Sequence, residues 1–497
     1  MRIKLWLILI VQAALVVLLA IAVKRKVMPL GVPGEWEWLR VPYSPTWLGL
    51  VLAGLSVAAY AGFVALGLRS IAARKSRRFE TTWLTGLLVA AAGVQVMIPM
   101  GAPEGYDLAK WASVNYVSGS TGYFQIARQQ AVRDPWQFLA KYPDWIRRQD
   151  SLHIGTHPPG LIVVQCVLLR VMEQNPALSD FLVDQMPSTV ELGFRAFAGY
   201  DPQPLTRAER AGLYATALLT LFACAGTVVP LYLLARVALP APAAWAAAAL
   251  WPLAPAANLF QPVADTAYPF LSTSALALAC WAARFQQGSH RPTFAGMFLA
   301  AASGIVMALG MVFTLAFLPV GLIVALVLGW NFSITWKTRA LLIFATGLGF
   351  LSIFLMGWVA TGADPLIIAS WNLHHHARFY DEYPRTYRLW LLANPIETAI
   401  AIGLPSVVWC ALGLLAARSV PLSVWSTLLV LVLANLIGRN LGEVARLWML
   451  YMPPLLLAAG LGCNRLGAGP TPLAASIVLL GLQTLALQSM IQVVYPV

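Results

Sequence analysis

The chain has 497 residues, of which 59% are hydrophobic and only 11% charged. A soluble globular protein runs roughly 45–50% apolar and about 25% charged, so a water-soluble enzyme is excluded and a bilayer-embedded chain is implied. Lys and Arg exceed Asp and Glu by 33 to 20, which in a membrane protein reads first as topology and only second as nucleic-acid binding.

Arg2 and Lys4 precede an apolar run from Leu5 to Val23, closed by Lys24, Arg25 and Lys26. Ala20-Ile21-Ala22 fits the small-residue rule for signal cleavage, but the length of the run favours an uncleaved first span. Further runs that reach or approach the ~20 residues of a crossing are 47–68, 83–100, 212–235, 242–260 and 268–283, then 340–360, 395–417, 422–437, 447–462 and 471–495. Segment 294–330 carries no charge and as one helix would be roughly 55 Å long, so it must fold back, near Gly310. The expectation is an all-α integral membrane protein of about thirteen transmembrane helices in a single multi-span domain, 1–497. Segment 160–172 is short, follows two prolines and contains Arg170, which reads as interfacial or re-entrant. The five cysteines, Cys166, Cys224, Cys280, Cys410 and Cys463, sit in or beside apolar runs without CxxC spacing, so neither a zinc site nor a disulfide framework is indicated.

The cluster Arg69, Arg74, Lys75, Arg77 and Arg78 places the loop 69–80 in the cytoplasm by the positive-inside rule. Alternation from there puts the amino terminus inside and assigns to the inner face Arg2, Lys4, that cluster, Arg236, Arg284, Arg291, Lys337, Arg339, Arg418 and Arg465, with Glu80 as the only acid. The outer face then carries nearly all the acids and five of the six histidines, concentrated in a large external region, 101–211, and a His/Arg/aromatic loop, 361–394. Lys24–Lys26 sits awkwardly on that side.

Four external constellations could carry chemistry. Glu104 and Asp107 lie just past the third span, as a general base, as metal ligands, or, for Asp107, as an N-terminal acid of the helix-like run that follows. His153 and His157 have metal-ligand spacing for a helix, but Gly155 and Pro158-Pro159 argue for a rigid turn instead. Asp265 is the only charge between Val237 and Ala283, either simply wet or aimed into a pocket at the membrane face. In 361–394, His374, His375 and His376 point ~100° apart on a helix, so at most one of them, such as His374, serves a site beside Arg378. Finally Arg439 to Trp448 enters a span from outside, with Arg446 placed to hold a lipid phosphate, to pair with Glu443 or to snorkel.

An acid in the first large external loop, a His-Pro-Pro turn at 157–159, a Trp251-Pro252 span end leading to Asp265, and Gly442-Glu443-Val444-Ala445-Arg446 entering a late span together resemble the C-type glycosyltransferase superfamily (GT-C). These multi-span enzymes take sugars from polyprenyl phosphate carriers. The turn is similar to that of protein O-mannosyltransferases and, with Lys for His, of lipid A aminoarabinose transferases. The resemblance covers about 83–465 and implies that Asp107, or Glu104, is the catalytic acid. It implies that Arg446, with Arg439 and Arg378, binds the donor phosphate, and that Asp265, His157, His153, His374 and Glu443 orient the acceptor or a metal. Glu104 and Asp107 are separated where the mannosyltransferases tend to show a paired Asp-Glu, and two extra spans precede the loop. No cofactor is fixed, and room is left for a divalent metal ion. The implied partners are a polyprenyl-phosphate-linked sugar, an envelope glycan, lipid or protein acceptor, and membrane lipids, at a plasma membrane with the site outside. A nucleotide sugar is absent there, so a glycosyl donor must arrive tethered to lipid. The competing readings are a transporter or flippase, which calls for midplane charges and duplicated halves, and an inactive envelope-assembly protein of the same fold.

Overall fold

A computed structural model describes residues 2–28, 30–74, 76–117, 119–197, 203–288, 291–416 and 419–492, so Lys75 and Arg418 of the inner-face cation set lie outside the described residues. The protein is helical apart from four two-residue strands and is membrane-embedded. Among the described residues seven helices are long and apolar enough to cross a bilayer: Lys4–Lys24, Trp47–Ala73, Arg77–Gly101, Arg207–Arg236, Phe294–Phe313, Trp336–Thr361 and Pro470–Met490. Two bent pairs, Gly160–Gln174 with Pro176–Asp184 at 103° and Tyr387–Ile402 with Leu404–Leu415 at 104°, bring the number to nine if each is one span.

The expectation of about thirteen crossings counted apolar runs that the backbone interrupts or shortens. Pro252 and Pro255 divide the run 242–260 into helices Ala241–Leu250 and Pro255–Leu259, joined by one 3-10 turn. The run 447–462 becomes a helix of 14 residues, Met452–Arg465, and 422–437 a helix of 16. The fold-back in 294–330 comes at residues 314–316, just past Gly310, where a Cβ would lie 2.3 Å from the Phe317 ring. Segment 361–394, read as a loop, is mostly helical. Asp364 accepts the Leu366 N–H at 2.8 Å and Pro365 opens the first turn, which starts the helix Pro365–Glu382.

At the centre lies Ala241–Leu250, apolar on every side and buried from Ala243 onward, the composition of a helix with no solvent or lipid face. Its alanines let neighbours approach closely, as Gly460 does at the Ala243 carbonyl. Trp245 and Tyr60 satisfy their polar ends on the carbonyls of Val64 and Ala249, at 2.9 and 2.8 Å. Loops assigned by charge to one face meet one another: Arg236 pairs with Glu80 at 3.3 Å, and Gln287 donates to Ser333 at 3.2 Å. The opposite end gathers Asp265, His153, Glu443 and Arg446. There Gly31–Val32 pairs antiparallel with Trp36–Glu37, and Leu39–Arg40 with Ile491–Gln492.

Candidate active site

Asp265 is presented by a 3-10 turn, Ala264–Thr266, closed by the Thr266 hydroxyl donating to the Val263 carbonyl at 2.7 Å. Facing it, the chain from Gly438 to Glu443 turns through left-handed backbone at Gly438, Gly442 and Glu443. Glycine suits that region, and Gly442 additionally has no room for a Cβ beside Arg385 and Trp390. Glu443, at φ +57, has no such licence, and unfavourable backbone of this kind persists where the surroundings enforce it. The short helix Val444–Leu447 then delivers Arg446. Its Nη2 lies 2.7 Å from Glu443 Oε2 and its Nη1 3.8 Å from Asp265 Oδ2, with the Arg446 and Asp265 side chains 18% and 15% exposed.

This is a half-sealed cluster of two acids and one base. Burial raises the Asp265 carboxyl above the ordinary carboxylate range against the pull of Arg446. Burial also works against the Arg446 charge, but Glu443 and Asp265 outweigh it and hold the guanidinium protonated. One arm of the guanidinium is committed at 2.7 Å and the other, at 3.8 Å, is loose enough to receive an incoming anion.

The His153–Pro159 segment is a turn, as Gly155 and the two prolines imply. His157 Nδ1 bonds the His153 carbonyl at 2.8 Å, and burial brings the ring down to about 3, so it is neutral at physiological pH. The His157 carbonyl accepts from Tyr142 and Asn372, both at 3.0 Å, while Asn372 also donates to Gly155 at 2.8 Å. The helix 365–382 therefore clamps the turn. His153 is lowered by burial and by Arg446, which places its ring in the field of the cluster, and Tyr123 feels both Asp265 and Arg446.

Asp107 and Glu104 lie on a neighbouring segment and, among the described residues, make no ion pair with Arg446. Asp107 Oδ1 accepts the Ala109 N–H at 2.8 Å in a local turn just before the helix Lys110–Ser113, which it does not cap. Burial raises its carboxyl, Glu104 adds to the rise, and Lys110 opposes it. Glu104 is exposed. Lys110, fully buried, donates to the Leu259 carbonyl at 3.2 Å, and burial pulls its ammonium down to about 7. Asn115 reaches the Pro262 carbonyl at 3.5 Å, so this segment lies along the turn that presents Asp265.

Three other expected donor or acceptor groups stand apart from the cluster. Arg378 is exposed and bound to Glu382 at 2.6 Å, itself the acceptor of Ser151. Arg439 has an exposed side chain and offers its carbonyl to Tyr380 at 2.9 Å. His374 is exposed, edge-on to Trp371 at 5.5 Å, whereas His375 is the buried member of the triplet, bonded to the Ile146 carbonyl at 2.9 Å. Among the described residues no group of three or more His, Cys, Asp or Glu side chains is placed to hold a metal ion.

Lys110, Tyr123 and Tyr268 escaped the sequence reading. Lys110 carried a signal, standing three residues past Asp107 on the same helical run, whereas nothing set the tyrosines apart from an interfacial belt. Beyond Tyr268, whose ring meets Phe317 at 6.1 Å, opens an apolar groove of about 390 Å³ between the helices Phe294–Phe313, Phe317–Gly329 and Trp336–Thr361. Met307, Val324, Ile343 and Phe350 line it. Tyr451 donates to the carbonyl of Ala316, the residue before the groove's Phe317, at 2.9 Å.

No family model matches the sequence. No curated protein matches it either. Among solved structures, the chain is similar to the oligosaccharyltransferase of Archaeoglobus fulgidus tethered to an acceptor peptide containing the NVT sequon, with TM-score 0.43 and 15% identity over 82% of this chain and 56% of that one. It is also similar to the archaeal oligosaccharyltransferase AglB from Archaeoglobus fulgidus in complex with an inhibitory peptide and a dolichol-phosphate, with TM-score 0.42 and 16% identity over 83% of this chain and 56% of that one. The chain thus spans a little over half the length of those proteins.

Proposed function

We propose that the protein is a C-type membrane glycosyltransferase that moves a sugar from a polyprenyl phosphate carrier to a hydroxyl acceptor at the outer face of the plasma membrane. The observation that supports this reading is a mostly buried arginine held tightly by Glu443 and only loosely, at 3.8 Å, by Asp265, together with an apolar groove lined by Phe317, the ring that Tyr268 meets. A phosphate with a long isoprenoid tail needs both features at once: a charge-assisted donor for the head and a lipid-continuous channel for the tail.

In the reaction, the acceptor oxygen bonds the anomeric carbon as the bond from that carbon to the phosphate oxygen breaks. The leaving electron pair goes to the phosphate, whose growing charge Arg446 meets. The acceptor proton goes to Asp107, whose proton affinity burial raises above that of an ordinary aspartate. Asp265 and Glu443 hold the guanidinium, and neutral His153 orients acceptor hydroxyls. No step is assigned to a metal. A transporter or flippase would need charges near the membrane midplane, and the charges named here lie at one end.

The test is transfer in nanodiscs from a labelled polyprenyl phosphate sugar to envelope extract. Label appearing on an acceptor together with free polyprenyl phosphate is the expected result. A well-folded protein that neither binds the carrier nor transfers the label rejects the reading.

A further inference from the structure

The turn Asn440–Glu443 and the short helix after it rest on one face of the helix Tyr387–Ile402. Asn394 donates to the Asn440 carbonyl at 2.8 Å and to Asn435 at 3.0 Å, and its oxygen accepts the Gly442 N–H at 3.4 Å. One turn further along the same helix, Glu397 is 5% exposed. Its Oε1 accepts from the indole of Trp38 at 2.8 Å. Among the described residues its Oε2 has no hydrogen-bond partner, and the helix that carries it packs against the short helix Val444–Leu447. That short helix carries Arg446.

A buried acid kept for packing alone is an expensive choice, since an unsatisfied polar atom in such a place destabilises the fold. Glu397 does more than pack. Through Trp38 it ties the segment before the second span to the helix on which the arginine-bearing turn packs. The same segment grips the helix a second time, as Glu35 accepts from Thr386 N at 3.0 Å and from the Trp390 indole at 2.6 Å. Trp38 itself is locked edge-on against Phe260, at 6.3 Å, beside the turn that leads to Asp265.

We propose that Glu397, held by Trp38, is a positioning residue that fixes the turn 443–446 and thereby aims the free arm of Arg446. Its functional consequence rests on the reading of Arg446 as the donor-phosphate residue. In Glu397→Gln one carboxylate oxygen becomes an amide NH₂, so the charge-assisted bond to Trp38 is weakened to a neutral one or lost.

The experiment uses the full chain in nanodiscs, with hydrogen exchange of the 440–451 peptide and titration with unsugared polyprenyl phosphate. Glu397→Gln is expected to speed exchange in that peptide and to weaken carrier binding by about three- to tenfold, the span of one lost hydrogen bond, with acceptor KM unchanged. Combined with Arg446→Lys it should weaken binding no further, because residues acting through one contact are not additive. Trp38→Phe, which deletes only the indole N–H, should reproduce the exchange change and serves if Glu397→Gln does not fold. Unchanged exchange in both variants, or an effect on binding that adds fully to that of Arg446→Lys, overturns the proposal. Should Arg446→Lys leave carrier binding untouched, the phosphate reading fails, and the exchange data alone decide whether Glu397 fixes the turn.

Discussion

Arg446 gives the sharpest single perturbation. Truncation to alanine would leave Glu443 and Asp265 facing each other half-buried, and removing one partner of such a cluster costs about 3–5 kcal/mol of stability, which blurs any binding result. Arg446→Lys retains the charge. The ammonium is a single point donor group, so it stays with Glu443, the partner at 2.7 Å, and the arm now 3.8 Å from Asp265 disappears. A charge-assisted hydrogen bond contributes about 1.5–3 kcal/mol, and each 1.4 kcal/mol is tenfold, so carrier affinity should fall roughly ten- to a hundredfold. Calorimetric titration of the nanodisc-embedded protein with polyprenyl phosphate measures it. Arg465→Ala, an exposed arginine in the last turn of Met452–Arg465, serves as the control and should bind as wild type does. Equal carrier affinity in wild type and in an Arg446→Lys protein that elutes as one peak would refute the assignment.

Asp107→Asn keeps shape and the Ala109 contact but cannot take a proton, so turnover should drop by about 10²–10⁴-fold with carrier affinity near normal; Glu104→Gln should stay within a few-fold, and the reverse pattern would move the base to Glu104. Lys110 is held near 7 in the fold against its ordinary 10.5, so the folded state binds fewer protons than the unfolded chain between those values and stability rises with pH across that window. Lys110→Met should flatten the rise of unfolding temperature in detergent from about pH 7 to about pH 10, and an unaltered slope would show that another group titrates there. Gly347 lines the groove with nothing within 4 Å of a Cβ, so Gly347→Phe should fold normally yet raise donor KM several-fold while acceptor KM holds; unchanged donor KM would take the isoprenoid tail out of the groove.

What could be read from the chain tracks the range of the interaction responsible. Helices such as Trp47–Ala73 and Trp336–Thr361 announce themselves because apolar length is a local property. The interruption of 242–260 was written in Pro252 and Pro255, but composition counting weighs hydropathy and not the missing N–H. Asp265 and Arg446 each stood out singly, as rare charges beside apolar runs. Their meeting could not be deduced, since 180 residues separate them and nothing in spacing specifies a contact between different helices. Arg378 looked equivalent to Arg446 in composition, yet a neighbour four residues on, Glu382, had already taken it. Glu397 was hidden inside the run 395–417, where one acid looks like noise until its partner, Trp38, is seen.

The pairing of the earliest and latest segments sets a schedule for biosynthesis. Gln12, in the first helix, is buried and accepts from Ser476 at 2.8 Å, and Ser476 in turn accepts from Trp409 at 2.9 Å. Leu39 and Arg40, directly after Trp38, find their strand partners in Ile491 and Gln492. A nascent chain that has already threaded Asp107, Asp265 and Arg446 into the membrane still lacks the residues that fasten its opening segment. Until the helix Pro470–Met490 and the two residues after it leave the ribosome, Gln12 has no hydroxyl to meet and the strand Leu39–Arg40, next to Trp38, has no edge to lie against. The arginine turn is therefore braced only after that helix is made, so the segments that bear the site enter the membrane before the contacts that hold them can form.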